Sequence, residues 1–239
     1  MSKDDLSKLE IDGNAKLQYL RIGDEAEPLV KVDSFLKGIN ELKRYAITNN
    51  QFSASDNFYP GIRMKVPDPY VVSLVRFLGK PIREFFEQDV RKIRSAASRF
   101  SIVTTQPSEL DILQRLPHFD APSRYSLAAI HYLCDAPDSG TKLYRHRRTG
   151  FEFIDDARIN HYKRTVSEQF ADPARHPSGY ICGNSPEYEE IASFEAVYNR
   201  LVMYRGSSLH SGIIGPEYNF DPSPTTGRLT ITTFIEFSV

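Results

Sequence analysis

Along the first hundred residues the apolar positions form two short strand-like runs and several helix-like stripes. Lys16 to Ile22 alternates Leu17, Tyr19 and Arg21 with Gln18, Leu20 and Ile22, a two-sided strand pattern, and Leu29 to Val32 predicts another strand. Asp33 or Ser34 is suited to cap a helix reaching about Asn49, with Phe35, Leu36, Ile39, Leu42 and Ala46 on one stripe. Asp68-Pro69 predicts a second helix start, and Gly79 its close after Val72, Leu74, Val75 and Leu78. A third helix is expected after Pro81, over Arg83 to Ser95. Phe85, Phe86, Val90 and Ile93 face inward there, and Arg91, Lys92 and Arg94 form a solvated face.

From about Ser98 the pattern changes to short β-rich runs divided by Pro, Gly, Asp and Ser. Strands are expected over Phe100 to Thr105, Leu110 to Leu116, Tyr125 to Leu133, Thr141 to Tyr144, Tyr188 to Glu195, Leu201 to Tyr204 and Leu229 to Phe237. Seven or eight such strands suggest a jelly roll or barrel. One helix, roughly Asn160 to Phe170, interrupts them inside a long 155–187 segment of the kind that forms lids or binding loops.

Composition narrows the class. With 239 residues, 40% hydrophobic and 26% charged, the chain is long enough for one large domain and is not of disordered composition. A net charge of −1 argues against general nucleic-acid binding, which needs a cationic surplus. No apolar run approaches the ~20 residues of a membrane span. The charged start, Met1 to Leu6, lacks the apolar core of a secretory signal, so a cytoplasmic protein is expected. Cys134 and Cys182 have no CxxC partner and read as reduced thiols.

The six histidines are the unusual resource. His118-Phe119-Asp120 puts an imidazole and a carboxylate at i and i+2. On an extended chain both point to one side, roughly 6.5–7 Å apart, while Phe119 packs behind. A second histidine, His210, lies 92 positions on, between Gly206-Ser207-Ser208 and Ser211-Gly212, small residues that permit close approach. In Leu229 to Ile235 the alternation puts Leu229, Ile231, Thr233 and Ile235 on one face. Arg228, Thr230 and Thr232 share the other with Phe234. An arginine beside two hydroxyls on a mostly apolar strand needs an anionic partner. Two histidines and a carboxylate match the facial triad of non-haem Fe(II) oxygenases, which leaves coordination positions open.

On these residues, from about Asp33 to Phe237, the chain resembles the 2-oxoglutarate/Fe(II)-dependent oxygenase superfamily, in the style of its prolyl-4-hydroxylase-like branch. The resemblance implies a mainly β fold with some α: a double-stranded β-helix (jelly-roll or cupin-like) core over about 98–239, with supporting helices over about 1–97, in a single domain. It implies that His118, Asp120 and His210 bind Fe(II) and that Arg228 anchors the distal carboxylate of 2-oxoglutarate. Tyr132, on the strand after the HxD, and Thr232 would assist; Thr230 is added from strand parity alone. Dioxygen is then the oxidant, 2-oxoglutarate yields succinate, and a small molecule, amino acid or peptidyl side chain is hydroxylated. The 18-residue step from His210 to Arg228, with Pro216, Pro222 and Pro224, is longer than the family's usual spacing, and Ser139-Gly140 replaces its glycine pair.

Tyr144 and Arg145 are expected to contact substrate from the barrel mouth. Arg63 reads as a structural turn residue that could also line the mouth. His131 reads as a hydrogen-bonded core residue, and His161 and His176 as surface positions. Two alternatives stay open: a cupin-like metalloenzyme using zinc or manganese without 2-oxoglutarate, and a jelly-roll binding module with incidental histidines.

Overall fold

A computed structural model describes residues 9–54 and 58–239; the charged Met1 to Leu6 lie outside them. The eleven strands among these residues are β1 (Lys16–Ile22), β2 (Glu27–Asp33), β3 (Ser53–Ala54), β4 (Gly61–Lys65), β5 (Ile93–Val103), β6 (Ser126–Tyr132), β7 (Ala136–His146), β8 (Tyr188–Ala196), β9 (Leu201–Arg205), β10 (His210–Ile214) and β11 (Thr230–Phe237). The helices are α1 (Ile39–Asn49), α2 (Asp68–Glu84) and α3 (Ile159–Gln169).

Alternation along β11 divides the molecule. Leu229, Ile231 and Ile235 face a core shared with Leu42 and Ala46 of α1 and Tyr70, Leu74, Leu78 and Ile82 of α2. Phe234 faces the opposite side, a second core that holds Ala128, Tyr132, Leu143, Val202 and Tyr204 between two sheets. The larger sheet runs β1-β2-β9-β6-β11-β5-β4-β3 and the smaller β10-β7-β8. An isolated antiparallel bridge, His118 to His210, adds the HxD segment beside β10. From β5 onward the chain passes to the small sheet at His118, back at β6, across for β7 and β8, back at β9, across at β10 and back at β11. This is the expected mainly β double-stranded β-helix, or jelly roll, with α1 and α2 supporting the outer face of its larger sheet. A third core, with Leu116, Tyr144, Tyr188 and Leu209, lies where α3 covers the smaller sheet.

Several boundaries depart from the pattern-based expectation. The first helix begins at Ile39, because Ser34 is left-handed (φ 53) and the following residues are held by Asn199: Phe35 donates to its carbonyl at 2.9 Å and Leu36 to its Oδ1 at 3.0 Å. Gly79 does not close α2, which runs through Pro81 to Glu84. The expected helix over Arg83 to Ser95 is absent: Glu87 is left-handed (φ 58), and Ile93 onward is edge-paired into β5. Pairing of Ile93 onward with β11 outweighs the local helical stripe. The first hundred residues therefore carry four strands of the large sheet as well as helices. Leu110 to Leu116 is not a strand but contains a turn of 3-10 helix over Ile112–Arg115, capped by Asp111 and Gln114.

His131 is the core histidine expected. Its Nε2–H donates to Asn199 Oδ1 (3.0 Å) and its Nδ1 accepts from Tyr70 Oη (3.1 Å), while Phe35 meets its ring edge-on. Burial holds its pKa down at about 4, so the native state keeps it neutral. Below the ordinary histidine range the unfolded chain gains a proton that the folded chain refuses, so stability falls as pH falls through that window. His131→Gln is expected to remove about 2 kcal/mol of the stability difference between about pH 7.5 and about pH 5, measured by urea unfolding at both pH values.

Candidate metal centre

The site is assembled by backbone pairing. His118 N–H donates to the His210 carbonyl at 2.9 Å and His210 N–H to the His118 carbonyl at 2.8 Å, which sets the imidazoles side by side with ring centroids 4.3 Å apart. Asp120 N–H donates to the Gly206 carbonyl at 2.7 Å. Gly206 must lack a side chain here, since a Cβ would stand 2.6 Å from Ser126 Oγ and 3.6 Å from Asp120 Cβ. Phe119, between the two ligands, packs outward against Tyr162 of α3. The i, i+2 arrangement expected of the HxD is thus realised.

His118, Asp120 and His210 each offer a ligand atom, all within 4.8 Å of one another, and His210 Nε2 is 3.7 Å from Asp120 Oδ2. His210 Nδ1–H donates to the Ser208 carbonyl at 2.9 Å, which leaves the Nε2 lone pair free to coordinate. The site lies deep among protein atoms, yet His118 and Asp120 keep solvent-accessible surface, as expected at the floor of an open mouth. Burial lowers His210 to about 4; it lowers His118 to about 4 with help from His210. Burial also pushes the Asp120 carboxyl up to about 6, against the lowering effect of His118 and Arg63. Among the described residues nothing donates a hydrogen bond to the Asp120 carboxylate. Two neutral imidazoles and one under-solvated carboxylate form a donor set that fits a divalent cation.

Arg228 is 4% exposed and sits at the entry to β11. Its Nε donates to Ser139 Oγ (2.5 Å) and a terminal nitrogen to the Gly140 carbonyl (2.7 Å). Among the described residues it pairs with no carboxylate. The Ser139-Gly140 dipeptide thus positions the arginine, and Gly140 must stay bare because a Cβ would run into the Phe194 carbonyl. The long step from His210 is also accommodated: the inserted loop carries Tyr218, whose hydroxyl bonds the Arg228 N–H (3.4 Å) and the Val103 carbonyl (2.9 Å). Tyr132 lies under Arg228, the guanidinium 5.8 Å from its ring centre, with its hydroxyl 2.6 Å from Thr141 Oγ1. Thr230 Oγ1 donates to the Ser101 carbonyl (3.2 Å), and Thr232 Oγ1 meets Ser101 Oγ (3.0 Å). Both threonines face the barrel side but spend their hydroxyls on β5.

The other expected residues lie elsewhere. Tyr144 packs in the third core, on the outer face of the small sheet, because its neighbour Leu143 takes the inward position. Arg145 is consumed by ion pairs to Glu152 (2.5 Å), Asp24 (2.8 Å) and Glu189 (3.3 Å). These corrections withdraw both as substrate contacts. His161 is exposed, as expected, and His176 is half-buried. His146, in the basic turn, is fully buried against Gln169 (2.7 Å) and Thr149 (2.8 Å). Cys134 and Cys182 are free thiols.

Asp120→Asn is expected to raise the melting temperature of metal-free protein near neutral pH, because it removes a charge that burial disfavours. The same change should weaken Mn(II) binding by roughly a hundredfold. Calorimetric melting and paramagnetic titration of free Mn(II) check the two directions.

No curated protein matches the chain. Among solved structures it is similar to SnoK, a non-heme alpha ketoglutarate dependent carbocyclase from nogalamycin biosynthesis (12% identity, 90% of this chain and 84% of that one, TM-score 0.49). It is also similar to HygX from Streptomyces hygroscopicus, solved with nickel and 2-oxoglutarate bound (12% identity, 90% and 84%, TM-score 0.48), and to a Pseudomonas putida prolyl-4-hydroxylase (11% identity, 90% of each, TM-score 0.40). A protein-family model matches residues 13–235, and by that match the chain belongs to DUF6445, a family of unknown function.

Proposed function

We propose that this protein is an Fe(II)- and 2-oxoglutarate-dependent dioxygenase that hydroxylates a small molecule, amino acid or peptidyl side chain, with the whole chain acting as one catalytic unit. One observation carries the reading: a buried arginine with no carboxylate partner among the described residues, Arg228, inside the barrel whose His118, Asp120 and His210 converge on one point. A zinc or manganese cupin site accounts for the three ligands but leaves that cation unanswered. A dicarboxylate accounts for both, with one end at the metal and the other on Arg228.

His118, Asp120 and His210 would hold the iron, which supplies dioxygen activation coupled to decarboxylation of 2-oxoglutarate to succinate. The chain's own work is placement. Ser208 fixes the His210 tautomer through its carbonyl, and Ser139 and Gly140 fix the direction of the Arg228 guanidinium. Tyr132 supplies a hydroxyl and a ring beside it. Tyr218 links the main chain of Arg228 to the Val103 carbonyl of β5 and so holds the arginine's end of the strand. Thr230 and Thr232 tie β11 to β5 and so hold the strand that begins with the arginine.

Purified protein with Fe(II) should convert 2-oxoglutarate to succinate. His118→Ala and Asp120→Ala should each abolish this, and Arg228→Gln should weaken 2-oxoglutarate binding by roughly tenfold to a hundredfold, as expected for loss of a charge-assisted hydrogen bond. Succinate release that survives alanine at both His118 and Asp120 would contradict the proposal.

A further inference from the structure

The large sheet brings a second cation to the same barrel face. Register pairs Arg63 of β4 with Ser101 of β5, Ser101 with Thr230 of β11, and Thr230 with Tyr132 of β6, one row across four adjacent strands. Partners directly opposite in antiparallel strands project to the same side. Met64 packs into the helix-side core beneath Arg63, as do Phe100 and Ile102 on either side of Ser101. Arg63 therefore faces the metal side with Ser101 and Thr230.

Its surroundings set it apart from the molecule's other half-buried or buried arginines. Arg145 is neutralised by Glu152, Arg205 faces Glu27 and donates to the carbonyls of Phe86 and Arg124, and Arg228 donates to Ser139 and Gly140. Arg63 stacks on the Tyr59 ring, 4.1 Å from its centre, and its Nε is buried with no hydrogen-bond partner. Among the described residues it has no ion pair. Its guanidinium and the Asp120 carboxyl act on one another electrostatically, each favouring the other's charged form. A guanidinium held over a ring, with an unmet donor, is costly to keep unless a ligand completes it.

We propose that Arg63, positioned by Tyr59, binds a carboxylate of the primary substrate, so that the enzyme acts on small organic acids. The inference rests on the dioxygenase reading above. In that reading Asp120 and one carboxylate of 2-oxoglutarate balance the metal, and the second carboxylate balances Arg228. The charge of Arg63 is left for a third group. β4 and β11 are separated by β5, so the two strands lie about 10 Å apart, and Tyr59 feels the charge of both arginines; the group bound at Arg63 therefore lies beside the carboxylate that Arg228 anchors. A single guanidinium with one charge matches the planar, bidentate geometry of a monocarboxylate, whereas a phosphate dianion would leave charge unpaired.

The test uses full-length protein loaded with Mn(II) and saturated with 2-oxoglutarate. It is titrated calorimetrically with a panel of aliphatic and arylalkanoic monocarboxylates, each beside its primary amide. Acids that bind should exceed their amides by roughly tenfold or more. Arg63→Gln should erase that preference while leaving 2-oxoglutarate affinity within about twofold, and Arg63→Lys, which keeps the charge, should retain part of it. The proposal is overturned if no acid is preferred over its amide, or if Arg63→Gln leaves the preference intact. It is overturned equally if Arg63→Gln weakens 2-oxoglutarate as strongly as Arg228→Gln does. Failure of the dioxygenase reading looks different: wild-type Mn(II)-loaded protein then does not bind 2-oxoglutarate at all, and the panel repeated without it reads Arg63 alone.

Discussion

The reciprocal pair of backbone hydrogen bonds between His118 and His210 is the constraint on which the site depends. Ninety-two residues apart in sequence, the two imidazoles are made neighbours by main-chain geometry and need no mutual side-chain attraction. Once that bridge is set, Asp120 follows two residues on, docked through its N–H on Gly206, and Phe119 is forced outward into the core under α3. The three ligands are thus brought together by main-chain pairing alone. The surroundings lower the pKa of both imidazoles and raise that of the carboxyl, while His118 and Asp120 keep a face open to solvent. Such a site is poor for a bare protein and good for a dication.

The same economy holds for the cations. Arg228 and Arg63 stand on one face of the large sheet, one at the entry to β11 and the other two strands away on β4, and neither has a carboxylate of its own among the described residues. Asp120 feels both the Arg63 guanidinium and the Glu236 carboxylate, and Glu236 is paired with Arg94, so Arg63 and Arg228 are left to anionic ligands.

Strand parity made much of this legible from sequence. Alternation alone put Arg228, Thr230 and Thr232 on one face of β11 and Leu229, Ile231 and Ile235 on the other, and the HxD at i, i+2 required no long-range knowledge. What parity could not give was partnership. Arg145 has the same polar, mouth-side look as Arg63, but Glu152, Asp24 and Glu189 reach it from distant segments, whereas among the described residues no carboxylate pairs with Arg63. Tyr144 was displaced from the site by one position of alternation. The helix expected over Arg83 to Ser95 lost, at its C-terminal end, to pairing of Ile93 onward with β11, a tertiary preference that a local apolar stripe does not encode. Ser139 and Gly140 looked like a worn glycine pair; only the fold reveals that their oxygens hold Arg228.

The central claim is that one dicarboxylate bridges a metal at His118, Asp120 and His210 to Arg228. Anaerobic titration of the Fe(II)-loaded protein with 2-oxoglutarate, followed by visible absorption, tests it most directly. A new metal-to-ligand charge-transfer band that saturates at one 2-oxoglutarate per chain is expected. Absence of that band in protein shown to hold one Fe(II) per chain would contradict it.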